Sequence, residues 1–113
     1  MIYIEEEIDR IMAQNKIYLQ KDLNLPQLSV LLTIPTHHLA YFFSAYKKMT
    51  FSDYRTILRI EYAKELMIGH TTNNLTLEGI ALLSGFSNRN NFTQSFKKVE
   101  GTTPSSFITA CNK

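Results

Sequence analysis

The sequence predicts an all-α protein with about seven helices, and three observations support this fold class. Apolar residues recur along the chain with the 3.6-residue period of an α-helix, and the period-2 pattern of a strand is absent. Most of the four glycines and three prolines fall at expected helix ends. An apolar segment near residue 23 also reappears about 52 residues later, which indicates an internal duplication.

The first half of the chain predicts three helices, at about residues 3–14, 25–32 and 36–47. The first has isoleucine and methionine on one face, namely Ile4, Ile8, Ile11 and Met12. Asn24 is a suitable N-cap for the second helix, and Pro26 lies in its first turn, where a missing N–H costs nothing. The third helix is expected to begin directly after Pro35.

The second half predicts four helices, at about residues 52–68, 77–84, 88–99 and 104–110. The fourth is expected to begin at Ser52 and to stop at Gly69. Its apolar residues are Tyr54, Ile57, Leu58, Tyr62, Ala63, Leu66 and Met67. Thr76 and Thr103 are suitable N-caps for the fifth and seventh helices, and Gly85 ends the fifth.

The duplication aligns LNLPQLSVLLTI (23–34) with LTLEGIALLSGF (75–86). After the turn the offset becomes 53, which pairs Leu39 with Phe92 and Phe43 with Phe96. Each copy is a short helix, a tight turn and a second helix, which is the helix-turn-helix layout. Gly85 has Thr33 as its counterpart, so the first turn either is built differently or carries strain.

We therefore expect two helix-turn-helix subdomains joined by a long central helix. Residues 1–50 would hold a leader helix and the first helix-turn-helix, and residues 51–69 the linker helix. Residues 70–113 would hold the second helix-turn-helix and a C-terminal helix.

The sixth helix has the more distinctive surface. If Phe92 and Phe96 point inward, two neighbouring rows face outward: Arg89, Thr93 and Lys97 in one, and Asn90 and Gln94 in the other. In the major groove of B-DNA, Arg can pair twice with guanine, and Asn or Gln twice with adenine. Such residues can also form an ordinary solvated face, but the second helix of a helix-turn-helix favours DNA binding.

The third helix has a less cationic equivalent of this surface, formed by Thr36, His37, Ala40 and Tyr41. His37 can donate to a base edge, and Tyr41 can reach a phosphate or a methyl group. Alternatively, Tyr41 covers the apolar edge that Leu39, Phe42 and Phe43 form. In that case the first subdomain would contribute more to positioning than to sequence choice.

Composition excludes several other classes of protein. The single Cys111 cannot form an internal disulfide, and no apolar run is long enough for a membrane span. We expect no metal, because His37 and His38 are adjacent and no other ligands complete a shell. We also expect no cofactor, no catalytic residues and no enzymatic activity. Residues 1–10 carry a net charge of −3 and the rest of the chain +5, which permits a polyanionic partner.

At this point the sequence resembles the DNA-binding module of the AraC/XylS family of bacterial transcription regulators. The resemblance rests on IALLSGF (80–86), FTQSFKK (92–98) and GTTP (101–104), and more loosely on residues 25–43 and 58–67. It implies that both second helices enter successive major-groove segments of double-stranded DNA. The chain departs from the family where Tyr41 replaces a frequent Arg and Lys48 a frequent Gly.

The resemblance also implies roles for individual residues. Base-reading residues would be His37, Tyr41, Arg89, Asn90 and Gln94, with Thr36, Ala40 and Thr93 as secondary candidates. Phosphates would be met by Lys47, Lys97 and Lys98 and by the helix N-termini near Asn24 and Thr76.

The implied function is sequence-specific regulation of transcription, by activation, in the cytoplasm and in association with the nucleoid. Activation would require contact with RNA polymerase, and any effector would bind to a part not present here. We expect the chain to be the C-terminal part of a longer regulator, although a complete small regulator is the alternative. The competing function is a helical protein-interaction module that has kept the fold and lost specific DNA contact.

Overall fold

The computed structural model describes residues 2–68 and 76–111, and this part of the chain contains only helices, turns and short connections. The predicted all-α fold is thus confirmed. Within the described residues, seven α-helices follow one another: α1 (Ile2–Asn15), α2 (Leu25–Leu32), α3 (Thr36–Phe42), α4 (Phe51–Ile68), α5 (Leu77–Leu83), α6 (Arg89–Glu100) and α7 (Pro104–Cys111). The predicted stop of the fourth helix at Gly69 lies outside the described residues.

The chain divides into two compact units, Met1–Arg55 and Thr56–Lys113, so that the boundary falls inside α4. In the first unit, α1, α2 and α3 bury one apolar side each. A short 3₁₀-helix that the sequence did not predict, Ile17–Leu19, connects α1 to α2 and buries Ile17 and Tyr18. The other large side chains buried in this unit are Ile8, Ile11, Met12, Leu23, Leu28, Leu32, Ile34, Leu39, Phe42, Phe43 and Phe51.

The second unit has its own apolar core. Its buried residues come from α4, α5, the following turn and α6: Ile60, Ala63, Met67, Ile80, Ala81, Phe86, Phe92 and Phe96. Phe92 contacts Phe86 and Phe96 with ring centres 5.4 and 5.7 Å apart, and Phe96 contacts Phe107 at 5.5 Å. The aromatic residues of α6 therefore connect the turn before it to α7 after it.

The long helix differs from its prediction in two details. It begins at Phe51, one residue before Ser52, because the Thr50 hydroxyl caps it by accepting a hydrogen bond from the Asp53 N–H at 3.1 Å. Its buried row also includes Ile60, which the predicted apolar face omitted.

The predicted third helix over 36–47 is only partly α-helical. From Phe43 to Lys47 the backbone forms a π-helix, which ends where the Met49 N–H donates to the Phe43 carbonyl at 3.2 Å. The rings of Phe42 and Tyr46 stack within this wider turn, with their centres 5.9 Å apart. Side-chain periodicity barely distinguishes a single π-helical turn from an α-helical one, so the sequence carried no signal for it.

The two turns inside the repeats have the same backbone geometry. Thr33 takes a left-handed conformation (φ 56°) where Gly85 has φ 93°, and Lys48 (φ 59°) corresponds in the same way to Gly101 (φ 80°). Of the two alternatives for the first turn, the structure thus supports the strained one. A β-branched residue in the left-handed region is unusual, because its Cβ crowds the backbone.

The helix caps are repeated as well. Asn24 Oδ1 accepts from the Gln27 N–H at 2.9 Å, and Thr76 Oγ1 accepts from the Gly79 N–H at 3.0 Å. Thr103 Oγ1 caps α7 as predicted, and its counterpart Thr50 caps α4. Equivalent positions thus start and end equivalent helices, which supports the duplication.

Replacing the central aromatic residue of the second unit should unfold it. Phe92→Ala removes a fully buried ring, which should lower the free energy of unfolding by about 3–5 kcal/mol in urea denaturation followed by circular dichroism. Asn91→Ala, at the exposed neighbouring position, is the matched control and should stay within about 0.5 kcal/mol of the parent. Equal stabilities of the two variants would contradict this assignment of the core.

The left-handed Thr33 offers a change that should stabilise the protein. Thr33→Gly should stabilise the folded state by removing a left-handed conformation that costs an L-residue about 1–2 kcal/mol. It should also destabilise the folded state by about 0.5–1 kcal/mol, because glycine loses more backbone entropy on folding. We expect the free energy of unfolding to rise by roughly 0.5–1 kcal/mol. The same change at Thr36, in the right-handed first turn of α3, should instead lower it. Loss of stability in Thr33→Gly would show that the Thr33 side chain makes a favourable interaction.

Candidate nucleic-acid interface

The second helix of the second unit, α6, has one buried and one exposed side. Phe92 and Phe96 are completely buried, so the sides of the helix are fixed by the core. Asn88 starts the helix, with its Oδ1 accepting from the Asn91 N–H at 2.8 Å, and Gly101 ends it. Since an α-helix is rigid over three turns, the exposed side chains keep a fixed spacing.

The structure brings the predicted polar residues of α6 together on that exposed side. Five of them are exposed to solvent: Arg89, Asn90, Gln94, Lys97 and Lys98. Thr93, a predicted secondary candidate, is half-buried. We call these six residues the α6 ridge. It presents a guanidinium, two carboxamides and two ammonium groups to solvent.

A groove beside the start of α6 contains residues that the sequence analysis did not single out. Glu78 and Leu82 of α5, and Ser87 and Asn88 of the turn, line it together with Arg89 and Asn90. Leu82 is half exposed. The repeat alignment pairs Leu82 with Val30, so an apolar residue recurs at this position. In the structure Val30 is exposed as well.

The corresponding surface of the first unit is formed by α3. Thr36, His37, Ala40 and Tyr41 are all exposed, and we call these four residues the α3 ridge. Tyr41 is 60% exposed, and the residue that covers Phe42 is Tyr46. The alternative in which Tyr41 covers the apolar edge is therefore disfavoured. His37 and His38 contact each other edge to face, with ring centres 4.3 Å apart.

Lys47, a predicted phosphate contact, has a different environment from the lysines of α6. Its ammonium lies 3.7 Å from Glu5 Oε1 of α1. It also lies 6.0 Å from the centre of the Phe42 ring and 5.7 Å from that of Tyr54. Its side chain is only 27% exposed. Lys47 is therefore held within the first unit, whereas Lys97 and Lys98 are exposed.

Negative charges of α1 also act on the tyrosine beside Lys47. Burial raises the pKa of Tyr54 to about 12, and the nearby carboxylates of Asp9 and Glu5 contribute further to this rise. Tyr54 consequently stays neutral throughout the physiological range.

The remaining predicted contact, Thr76, is exposed at the start of α5, where its hydroxyl already serves as the cap. Among the described residues, no three His, Cys, Asp or Glu side chains are grouped in a way that could hold a metal ion. The described helices include none that is both long and apolar enough to cross a membrane.

Comparison with known families gives a match over most of the chain. A family model described as a helix-turn-helix domain matches residues 28–110. Comparison with curated proteins gives no significant match.

Several solved structures are similar. The C-terminal domain of the two-component response regulator yesN from Fusobacterium nucleatum is 28% identical, covers 96% of this chain and 99% of its own, and has a TM-score of 0.76. A transcriptional regulator of the AraC type from Chromobacterium violaceum is 16% identical, with coverages of 100% and 98% and a TM-score of 0.82. The DNA-binding domain of AdpA, in complex with a target DNA, is 14% identical, with coverages of 94% and 89% and a TM-score of 0.75.

The two helix-turn-helix copies, the exposed polar ridge on α6 and the family match agree with one another, and the family is one of regulators rather than enzymes. The chain belongs to the helix-turn-helix family of AraC/XylS-type regulators, which bind DNA and regulate transcription.

Proposed function

We propose that this chain binds a specific double-stranded DNA sequence by inserting α6 and α3 into successive segments of the major groove. The observation that carries the proposal is the α6 ridge. Its guanidinium and carboxamide groups, which can form hydrogen bonds with base edges, are exposed on a helix. The orientation of this helix in its unit is fixed by the buried Phe92 and Phe96.

The chemistry of the ridge favours particular bases. Arg89 suits the O6 and N7 acceptors of guanine, and Asn90 and Gln94 suit the N6 donor and N7 acceptor of adenine. Each bidentate pair is worth about 1–3 kcal/mol of discrimination against the wrong base. Thr93 lies on the same side and can contact a thymine methyl group. These residue types therefore favour a segment with both guanine and adenine.

In the first unit, we propose that His37 and Tyr41 contact bases, with Thr36 and Ala40 beside them. Successive major-groove segments on one side of B-DNA are about 34 Å apart. The 18 residues of α4 extend about 27 Å at 1.5 Å per residue. A linker of this length is compatible with that spacing once the width of the units is added.

We assign positioning on the DNA backbone to cations and helix N-termini. Lys97 and Lys98 are the main candidates because they are exposed, and Lys47 and the N-terminus at Thr76 complete the set. The proposed organisation keeps residues 1–50 and 70–113 as the two reading parts and 51–69 as the linker.

We further propose that the chain activates transcription through contact with RNA polymerase. It would act in the cytoplasm on the nucleoid. Effector binding would belong to another part of a longer regulator. The family match supports the coarser part of this proposal, DNA binding and the regulation of transcription.

One observation favours the alternative, a protein-interaction module. Aliphatic side chains are exposed at equivalent positions of both units: Val30, Leu31, Leu82 and Leu83. Exposed apolar groups often mark protein interfaces. Salt separates the two functions, because phosphate contacts weaken binding steeply between about 50 and 200 mM salt. Binding to duplex that does not change with salt would favour the alternative.

Asn90→Ala should change sequence preference at one base pair. A random pool of duplexes, selected for binding to the parent and to the variant, would show the preferred sites. We expect the variant to lose about 1–3 kcal/mol on the parental site and to accept other bases at one position. Gln94→Ala should do the same at another position. Asn91→Ala, next to the ridge, is the control and should select the parental site; identical sites from all variants would refute α6 as the reading helix.

Lys97→Ala should weaken binding to all sequences alike. Loss of one phosphate contact should lower the slope of log affinity against log salt by about one. The matched control is Lys64→Gln, which makes the same charge change at a lysine that lies 3.2 Å from Glu100 and 3.5 Å from Glu61. If both variants changed the slope equally, overall charge rather than a contact by Lys97 would explain the effect.

A further inference from the structure

The leader helix α1 concentrates negative charge in a protein that binds a polyanion. Four carboxylates lie within one stretch of five residues: Glu5, Glu6, Glu7 and Asp9. Glu7 is paired with Arg10 at 2.6 Å within the same helix. The remaining carboxylates can therefore act on groups outside α1.

Two contacts place the start of α1 beside the DNA-reading surface of the first unit. Ile4 lines a groove together with His37, His38 and Tyr41, and two of these are predicted base-reading residues. One residue further along, Glu5 lies 3.7 Å from the Lys47 ammonium. Lys47 ends the helical segment that begins at Thr36.

Lys47 is also the only lysine or arginine in the segment 36–47. Lys48 follows directly, so a phosphate that approached this segment would meet Lys47 as the positive charge within the segment itself. That charge is already balanced by Glu5, whose side chain is 52% exposed and which would repel the phosphate.

We propose that Glu5 competes with DNA phosphate for Lys47, so that the leader helix lowers the affinity of the first unit for DNA. This inference rests on the proposed function. In the free protein Lys47 is paired with Glu5, and a phosphate can take its place only if that pair opens. The leader helix thus acts as an intramolecular substitute for the DNA backbone at one position.

The same competition should not operate on the α6 ridge. Arg89, Lys97 and Lys98 are exposed, so a phosphate can reach them without opening an ion pair such as that of Lys47. Charge changes in α1 should therefore alter only the contribution of Lys47. This restriction distinguishes a local ion pair from a general repulsion between α1 and DNA, which salt screens over about 10 Å at 0.1 M.

The test compares Glu5→Gln with Glu6→Gln, which removes the same charge at the exposed neighbouring residue. Affinity for a duplex selected by the parent is measured between 50 and 200 mM salt. Glu5→Gln should bind about three times more tightly at 50 mM salt, and the gain should disappear near 200 mM, because one added phosphate contact steepens the slope by about 0.9. Glu6→Gln should change affinity by less than about twofold if its charge acts only through screened, long-range repulsion.

A Lys47→Met background completes the test, because methionine keeps apolar contact with the rings of Phe42 and Tyr54. There the gain from Glu5→Gln should vanish. Equal effects of Glu5→Gln and Glu6→Gln, or a gain that persists without Lys47, would overturn the inference and leave the proposed function intact. Failure of the parent to select any duplex would overturn both. Thermal unfolding of each variant excludes a change in folding as the cause.

Discussion

Burial of two large side chains on the second helix of each copy is the constraint on which the rest of the structure depends. In the second unit these are Phe92 and Phe96, and in the first Leu39 and Phe43, all at 1% exposure or less. Since the two residues are four apart, they fix the rotation of the helix about its axis. The residues on the opposite side are then exposed with a set spacing, which is the requirement for reading base edges. If these helices read DNA as proposed, core packing and base reading use opposite sides of the same helix.

Much of this could be predicted from the sequence because the signals are local and repeated. Apolar spacing located all seven helices, and the caps Asn24, Thr76 and Thr103 marked where three of them begin. Threonine does not favour the left-handed conformation that Thr33 adopts, so its residue type did not predict that conformation. Only the alignment of Thr33 with Gly85 indicated it. The contact between Glu5 and Lys47 depends on packing between distant segments, which spacing along a single helix does not reveal.

The two copies have equivalent cores but different surfaces. Leu28 corresponds to Ile80 and Ile34 to Phe86, with buried side chains at all four positions. On the exposed side, by contrast, the α3 ridge has aromatic, hydroxyl and small residues where the α6 ridge has a guanidinium and amides. This difference was visible in the sequence. What the structure adds is that Lys47, the one cation between residues 36 and 47, is already engaged by Glu5, so the electrostatic contrast is larger than the composition suggests.

The exposed ridges can differ between the copies because their side chains contribute little to stability. An exposed residue that makes few contacts can be exchanged at a cost within about 0.5 kcal/mol, whereas each buried aromatic residue is worth several times more. Sequence choice can therefore change without loss of the fold. Lys47 is the exception, since it pairs with Glu5 and lies near two aromatic rings as well as at the end of the reading segment. If Lys47 contacts phosphate as proposed, its two roles would tie DNA affinity to the packing of α1, so that changes in the leader helix would affect binding without altering any base contact.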